Sequence, residues 1–197
     1  MRRILDNLLL VSVRALQIFS ATLFLFVRFA LGALTTGNTY PISFVDVDGN
    51  KLSTADGHAT IVVLTTAADR EQARTVGDRV PDFCLGNPAY RMITVVNFTG
   101  RHTAIGRRVA IAFIRHRMHE AGKRLQARYD SHKISRDAKG DIFVVTDFDG
   151  TIASQLGQPA GATDFCVFVF GQTGKLLAQW HSVPSTDELA AALKKSD

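Results

Sequence analysis

The sequence TIVVLTTAADREQAR, residues Thr60 to Arg74, is the stretch that decides the fold. It opens with the apolar, mostly β-branched run Ile61 to Leu64, which is typical of a strand buried on both faces. A polar turn follows, and Ala67 to Val76 has the composition of a helix, with Asp69 and Glu71 near its positive end. A turn between a strand and a helix lies at the carboxyl edge of the sheet, where α/β proteins usually bind ligands. We therefore expect functional residues in this turn.

The end of the chain contains a second clear pattern. Phe165 to Phe170 and Lys175 to Trp180 are apolar segments that flank the turn residues Gly171 to Gly174, which predicts an antiparallel hairpin. Ser185 and Glu188 then have the spacing of a capping box at the start of a terminal helix. The chain therefore ends in a hairpin followed by a helix.

Three further segments lie outside these two patterns. Met92 to Asn97 and Ile142 to Thr146 are apolar and predict two more buried strands. Ile42 to Val47 alternates loosely and ends in the turn signal Asp48-Gly49-Asn50, which predicts a small hairpin. Because apolar strands joined by a helix favour right-handed parallel crossovers, we expect a mixed sheet.

This order of elements resembles a thioredoxin-like domain of the peroxiredoxin (AhpC/TSA-like) and disulfide-reductase type. The resemblance covers about residues 41 to 195 and implies a three-layer α/β/α domain with a mixed central sheet. In that superfamily the turn carries Cys-x-x-Cys or Thr-x-x-Cys, because a helix N-terminus activates a thiol. Here Asp69 stands where the attacking sulfur would be and Gln72 where the resolving sulfur would be. The resemblance therefore implies the fold without its redox cysteine motif.

A second element of the superfamily is also altered. Members usually have a cis-proline just before the first strand of the final hairpin, facing the redox turn. Residues Ala162 to Phe165 occupy that place without a proline, and the nearest is Pro159. Three features make the chain most similar to the YtfJ-type branch of the superfamily: the missing cysteines, an N-terminal leader over residues 1–34, and an extra basic helix near residues 103–138.

Composition limits the number of domains and the roles of cysteine. A chain of 197 residues with 46% hydrophobic content and mean hydropathy +0.08 can bury one substantial core and carry an appended segment. Its two cysteines, Cys84 and Cys166, are too few for a disulfide scaffold or a metal cage of thiolates. They could form one disulfide if the domain is exported. We predict no cofactor and no metal site.

The first 34 residues combine a basic start with a long apolar body, although Arg14 and Arg28 interrupt it. This predicts a signal anchor, a single membrane-associated helix, with the globular domain on the extracytoplasmic side. A cleaved signal peptide and an amphipathic helix packed on its own domain are the alternatives. We assign residues 35–40 to a linker and residues 41–197 to the domain.

A basic helical insertion is predicted near residues 103–138. Arg101 to Lys139 contains eleven Lys or Arg residues and three acidic residues. Anionic lipid is a possible partner, and a solvated basic face is the alternative. Nucleic acid is disfavoured because no aromatic stacking platform or known motif accompanies the charge. The lipid-binding candidates are Arg107, Arg108, Arg115, Arg117, Lys123 and Arg124, and the predicted core stripe of the helix is Ile105, Val109, Ala112, Phe113, Ala121 and Leu125.

Two enzyme hypotheses compete with a binding role. Cys84, in a predicted loop, is the better thiol candidate, whereas Cys166 lies in an apolar strand and is expected to be inert core. The run Asp147-Phe148-Asp149-Gly150-Thr151 resembles the first motif of haloacid dehalogenase-type phosphatases, which implies Asp147 as nucleophile, Asp149 as acid/base and Mg²⁺ between carboxylates. Only 46 residues follow Thr151, and their candidates for the remaining motifs are Lys175, Asp187 and Glu188.

The sequence therefore favours a membrane-tethered, redox-inactive thioredoxin-like binding or accessory module over an enzyme. Its ligand-binding candidates are Thr66, Asp69, Arg70 and Gln72, and its expected partner is a protein or peptide. The N-terminus of the helix after the turn is expected to receive a peptide carboxylate or another anion. A thiol oxidoreductase or peroxidase using Cys84 and a phosphatase using Asp147 and Asp149 remain the alternatives.

Overall fold

The computed structural model describes residues 32–98, 102–159 and 162–196. The predicted signal anchor lies outside these residues except for its last three positions. Within the described ranges, no helix combines the length and the apolar character that crossing a bilayer requires.

A five-stranded mixed sheet forms the centre of the domain, with the strand order β5-β4-β3-β6-β7. β3 pairs in parallel with β4, which pairs in parallel with β5. On its other side β3 pairs antiparallel with β6, which pairs antiparallel with β7. All seven residues of β3 are buried, as predicted from their apolar run, because β3 has a neighbour on each side and a layer on each face. The bounds are β3 Ala59–Thr65, β4 Tyr90–Asn97, β5 Phe143–Asp147, β6 Cys166–Phe170 and β7 Leu176–Trp180.

Helices and a small hairpin surround this sheet. The predicted small hairpin is confirmed, and it forms a separate two-stranded sheet. The terminal helix begins with the predicted capping box, in which Ser185 accepts from the amide of Glu188 and Glu188 accepts from the amide of Ser185. The bounds are β1 Ser43–Val45, β2 Lys51–Ser53, α1 Arg70–Asp78, α2 Ala104–Ser131, α3 Thr151–Gln155 and α4 Thr186–Leu193, with 3₁₀ helices at Asp82–Cys84 and Ala138–Asp141.

The core has two parts, one on each face of the sheet. Successive residues of β3 alternate between them: Val62 and Leu64 face one cluster, and Ile61 and Val63 face the other. The first cluster includes residues of the β1–β2 hairpin and α3, and the second includes residues of α1 and α4. The domain therefore has three layers with the sheet in the middle.

The segment predicted as a linker, residues 35–40, is part of the domain. The amide of Gly37 donates to the carbonyl of Leu176 at 2.8 Å, and Thr39 forms an antiparallel bridge with Lys175. Leu34, just before it, is buried in the first core cluster. Gly157 makes room for this approach, because a Cβ there would lie 2.9 Å from the amide nitrogen of Leu34.

The predicted long helix is confirmed as α2, but its predicted core stripe is wrong. Ile105, Val109 and Phe113 are exposed by 74%, 64% and 53%. The helix instead packs through Ile114 and Tyr129, together with Gly122. The prediction failed because α2 has apolar residues on two faces, and periodicity alone does not show which face packs on the sheet.

Candidate functional site

An open cleft of about 720 Å³ lies at the carboxyl edge of the sheet. One wall is the turn from β3 to α1 with the end of β4, and the other is the segment before β6 with the residue after β7. This is the edge at which the turn was predicted to be functional. The lining residues are Thr66, Ala67, Ala68, Asp69, Gln72, Asn97, Phe98, Thr163, Asp164, Phe165 and His181.

The structure brings three of the four predicted ligand-binding residues together. The Thr66 hydroxyl donates to Oδ2 of Asp69 at 2.8 Å, and Nε2 of Gln72 donates to Oδ1 of Asp69 at 3.3 Å. The Thr66 Oγ1 also accepts from the amide of Ala68 at 3.2 Å. Both oxygens of the Asp69 carboxylate therefore have side-chain donors, and the turn is held by its own residues.

Asp69 immediately precedes α1, one turn later than the predicted helix start at Ala67. Its side chain does not cap the helix, because both of its oxygens bind Thr66 and Gln72. Arg70, the fourth candidate, is exposed and lies 3.7 Å from Glu71, so it does not line the cleft. The anionic group at the start of α1 is thus a carboxylate whose position is fixed.

The opposite wall of the cleft is the segment predicted to face the turn. Asn97 is buried at the end of β4, and its Nδ2 donates to the carbonyl of Ala162 at 3.0 Å. This bond ties the segment to the sheet, and Thr163, Asp164 and Phe165 then line the cleft. Asp164 gives this wall a second carboxylate, so the cleft has an acidic residue on each side.

His181 belongs to the cleft, although no pattern in the sequence pointed to it. It follows β7, lines the cleft, and places Nδ1 3.1 Å from Sγ of Cys166. The hairpin register produces this contact, because Val167 lies opposite Trp180 and the next pair is Cys166 and His181. A register counted from the turn would have given the wrong partner, since an irregularity between Val169 and Phe170 shifts the pairing by one residue.

The two thiols are separate from each other and poorly suited to nucleophilic chemistry. Burial raises the pKa of Cys84 to about 12 and that of Cys166 to about 11. Cys84 lies in a 3₁₀ helix and not in the predicted loop, and it is 8% exposed. Both cysteines are free, and they belong to core clusters on opposite faces of the sheet. Their pairing, which the sequence left open, does not occur.

Asp147 and Asp149 lie beside a second groove, between the β1–β2 hairpin and α3. Asp147 is buried, and its Oδ2 accepts from the amide of Ala153 at 2.8 Å. Burial raises the pKa of Asp147, and the Thr151 amide lowers the pKa of Asp149. These two carboxylates cap the turn after β5 and the start of α3.

The remaining phosphatase candidates lie away from this pair. Lys175 belongs to the turn at the far end of β6, and Glu188 binds Ser185 at the start of α4, on the other face of the sheet. Among the residues that the structure describes, no three His, Cys, Asp or Glu side chains are placed to hold a metal ion. The residues that the phosphatase hypothesis requires therefore do not lie together in one site.

The six predicted lipid-binding residues surround α2 and do not form one site. Arg107 stacks over the Phe148 ring at 5.2 Å, and Arg115 donates to the carbonyl of Val47 at 2.7 Å. The other four side chains are exposed. Arg117 lies over the Phe113 ring at 5.0 Å, and Lys123 pairs with Glu120 at 3.2 Å. Arg108 and Arg124 have no hydrogen-bond or ion-pair partner among the described residues.

Comparison with known proteins gives structural similarity at low sequence identity. No protein-family model matches the sequence, and no curated protein matches it. The chain is similar to an exposed lipoprotein thioredoxin of Streptococcus pneumoniae, with 15% identity, 79% of this chain and 98% of that chain covered, and a TM-score of 0.47. It is also similar to a secreted disulfide oxidoreductase of Mycobacterium tuberculosis, with 12% identity, 79% of this chain and 96% of that chain covered, and a TM-score of 0.44. A third similar structure is a peroxiredoxin-like protein of Aquifex aeolicus, with 15% identity, 84% of this chain and 89% of that chain covered, and a TM-score of 0.48.

The strand order provides the structural argument for the fold. A parallel strand-helix-strand unit is joined on its other side by an antiparallel hairpin and a final helix, with the turn before α1 facing the segment before β6. These are the features that the sequence resemblance predicted. The resemblance is confirmed at the level of architecture, and this chain has a thioredoxin-like fold.

Proposed function

We propose that this chain is a redox-inactive thioredoxin-like module that binds a peptide segment of a partner protein in its cleft and is tethered to a membrane by residues 1–34. The observation that carries the proposal is the fixed carboxylate of Asp69 at the position where thioredoxin-like enzymes place a reactive sulfur. A carboxylate cannot form the mixed disulfide through which such enzymes work. The cleft is retained, so recognition is the role left to it.

The state of the two cysteines supports the absence of redox chemistry. Dithiol exchange needs two sulfurs within reach of each other, and Cys84 and Cys166 lie on opposite faces of the sheet. Each thiol is also buried, and burial keeps it protonated at neutral pH. Cys166 contacts His181 at 3.1 Å, but it is 1% exposed and is not among the residues that line the cleft.

The cleft has features that suit a peptide. Its volume of about 720 Å³ lies within the ordinary range of ligand pockets. Phe98 and Phe165 provide apolar surface, and Thr66 and Thr163 provide hydroxyl groups. An extended peptide needs both kinds of contact, because its backbone requires hydrogen-bond partners and its side chains require apolar surface.

The acidic residues that line the cleft indicate which kind of peptide it binds. The sequence suggested that the start of α1 receives a carboxylate, but Asp69 already places a negative charge there and Asp164 places another on the facing wall. A further anion in the cleft would be repelled by these two carboxylates. A lysine or arginine side chain would be attracted, so we assign a basic peptide segment to the cleft.

A titration of the full chain tests this assignment. Two amidated peptides of identical length would be used, one with two lysines and the other with two glutamates at the same positions. The lysine peptide should bind, with chemical-shift changes at residues 66–72 and 163–165, and the glutamate peptide should not. Asp69→Asn should weaken the lysine peptide about two- to fivefold, the size expected for a partly exposed charge pair.

Glu71→Gln is the matched control, because it removes an exposed carboxylate from the first turn of α1 outside the cleft. This variant should bind the lysine peptide as the wild type does. Equal binding of both peptides, or equal weakening by both substitutions, would contradict a cleft that selects a basic peptide.

A further inference from the structure

The outer face of α2 carries an apolar stripe that no described residue covers. Ile105, Val109 and Phe113 follow one another at four-residue spacing, and each is more than half exposed. Their face is opposite to the one that packs through Ile114 and Tyr129. Large apolar side chains that line up in water are uncommon on a soluble surface and are typical of a contact surface.

Positive charge borders this stripe on both sides. At 100° per residue Arg108 lies on one side of the stripe, and Arg117 and Arg124 lie on the other. Arg117 stacks over the Phe113 ring at 5.0 Å, and the other two have no ion-pair partner among the described residues. The whole of α2 contains seven basic and two acidic residues. The outer face is therefore apolar from Ile105 to Phe113, with basic residues beside it, and beyond Phe113 it continues through His116, Glu120 and Lys123.

We infer that this face docks on the surface of an anionic lipid bilayer. The amphipathic part is the first half of α2, which carries the stripe, and such a segment lies in the plane of the interface with its apolar side chains at the headgroup and acyl boundary and its basic side chains on the lipid phosphates. Arginine side chains suit this position because their apolar stems run along the stripe while their charged ends reach the phosphates.

Charge selects this occupant over two others, and the shape of the apolar stripe selects it over a third. A second copy docked through the same face would place two cationic surfaces against each other. Residues 1–31 are net cationic as well, with four arginines and one aspartate, so their charge does not complement the basic borders of the stripe. Nucleic acid would meet two aliphatic side chains, Ile105 and Val109, and a single ring, Phe113, which Arg117 already covers at 5.0 Å, so the stripe is not a row of rings on which bases could stack.

The inferred contact does not depend on what occupies the cleft, and it differs from the proposed tether. A tether through apolar residues enters neutral and anionic bilayers alike, whereas docking of α2 requires anionic lipid. The failure of one proposal can therefore be distinguished from the failure of the other.

A fluorescent label on the stripe tests the inference. The full chain with Val109→Cys would carry an environment-sensitive dye and be reconstituted in nanodiscs of phosphatidylcholine, with or without phosphatidylglycerol. The wild-type chain gives the labelling background, which is low because Cys84 and Cys166 are buried. The emission should shift to the blue and be quenched by brominated acyl chains only in the anionic nanodiscs. The same dye at Gln172→Cys, in the exposed β6–β7 turn, should not respond.

Charge variants test the basic border. Arg108→Gln, Arg117→Gln and Arg124→Gln should each lower the docking equilibrium about fivefold, the effect of one basic side chain at an anionic surface. Lys175→Gln, an exposed basic residue in the hairpin turn, is the matched control and should change nothing. Phe113→Ser should abolish quenching at residue 109 while circular dichroism stays unchanged, because this ring is exposed in the fold.

Four outcomes would overturn the inference. The dye at residue 109 could remain aqueous in both kinds of nanodisc, or respond equally in both. A blue shift that rises with protein concentration without lipid would assign the face to a second copy. Protection of the dye by an RNA oligonucleotide, with no response to anionic nanodiscs, would assign it to nucleic acid.

Discussion

At the residue scale, Asp69 explains how the turn before α1 keeps its structure without a cysteine at that position. A thiolate and a carboxylate are both anions, and both are stabilised by the positive end of a following helix. Asp69 therefore preserves the electrostatics of the turn, and Thr66 and Gln72 supply its hydrogen bonds. Asp69 itself cannot take part in disulfide exchange, because a carboxylate oxygen cannot replace sulfur in that reaction.

The thiols give a prediction at the same scale. The wild-type chain, Cys84→Ser and Cys166→Ser should all show only background insulin reduction and peroxide consumption. With pKa values of about 12 and about 11, the thiolate fractions at neutral pH are on the order of 10⁻⁴ or less. Turnover in the wild type that disappears in Cys84→Ser would restore the Cys-dependent enzyme. Turnover that disappears in Cys166→Ser would point to the thiol beside His181.

At the scale of elements, an ion pair joins the connection after β2 to the central sheet. Arg91, on β4, donates to both carboxylate oxygens of Asp56 at 3.0 and 2.8 Å and to the carbonyl of Ser53 at 2.6 Å. Burial opposes the charge on Asp56, but hydrogen bonds from Arg91 and His58 outweigh it and lower the pKa of Asp56 to about 2. The pair thereby holds the hairpin layer against the sheet.

This pair predicts a specific dependence of stability on pH. Because the folded pKa of Asp56 is lower than its usual 3.8, the stabilisation is fully present above that value and is lost as the pH falls towards 2. Asp56→Asn should lower the free energy of unfolding by about 1 kcal/mol at neutral pH and by less at acid pH. Denaturant unfolding at neutral and at acid pH measures this loss, with Asp187→Asn, at an exposed position in the first turn of α4, as control. An equal loss at both would exclude the ionised pair as the cause.

At the scale of the whole molecule, the cleft and the apolar stripe of α2 lie on different parts of the surface. The cleft lies at the carboxyl edge, the turn with Lys175 lies at the opposite edge, and α2 presents its apolar stripe outward. A ligand in the cleft and a surface on α2 can therefore be bound independently. Membrane tethering, the extracytoplasmic location and similarity to the YtfJ-type branch stay predictions.

Tethering has its own test on the full chain. After cell disruption the protein should stay with membranes through a high-salt wash and be released by detergent, because residues 1–34 contain a long apolar body. Its intact mass should include those residues. A variant with Leu23→Asp and Phe26→Asp should move to the soluble fraction, since each buried carboxylate costs about 3 kcal/mol in a bilayer. A soluble wild-type protein of reduced mass would show instead that the leader is cleaved.

The sequence by itself determined the local elements and most of the architecture. The apolar run before Thr66, the turn signals and the capping box at Ser185 are short-range patterns, and each predicted its element correctly. The facing of the 66–69 turn and the 162–165 segment also followed from the resemblance. These features depend on neighbours in the chain or on a known order of elements.

Only the tertiary structure decided which side chains meet across the sheet. A shift of one residue in the β6–β7 pairing placed His181 beside Cys166, and the choice of packing face on α2 left Phe113 exposed. Burial of Cys84 likewise came from packing around its 3₁₀ helix. Register, packing face and burial are set by long-range contacts, because a helix with two apolar faces or a strand with two possible registers satisfies the same local pattern.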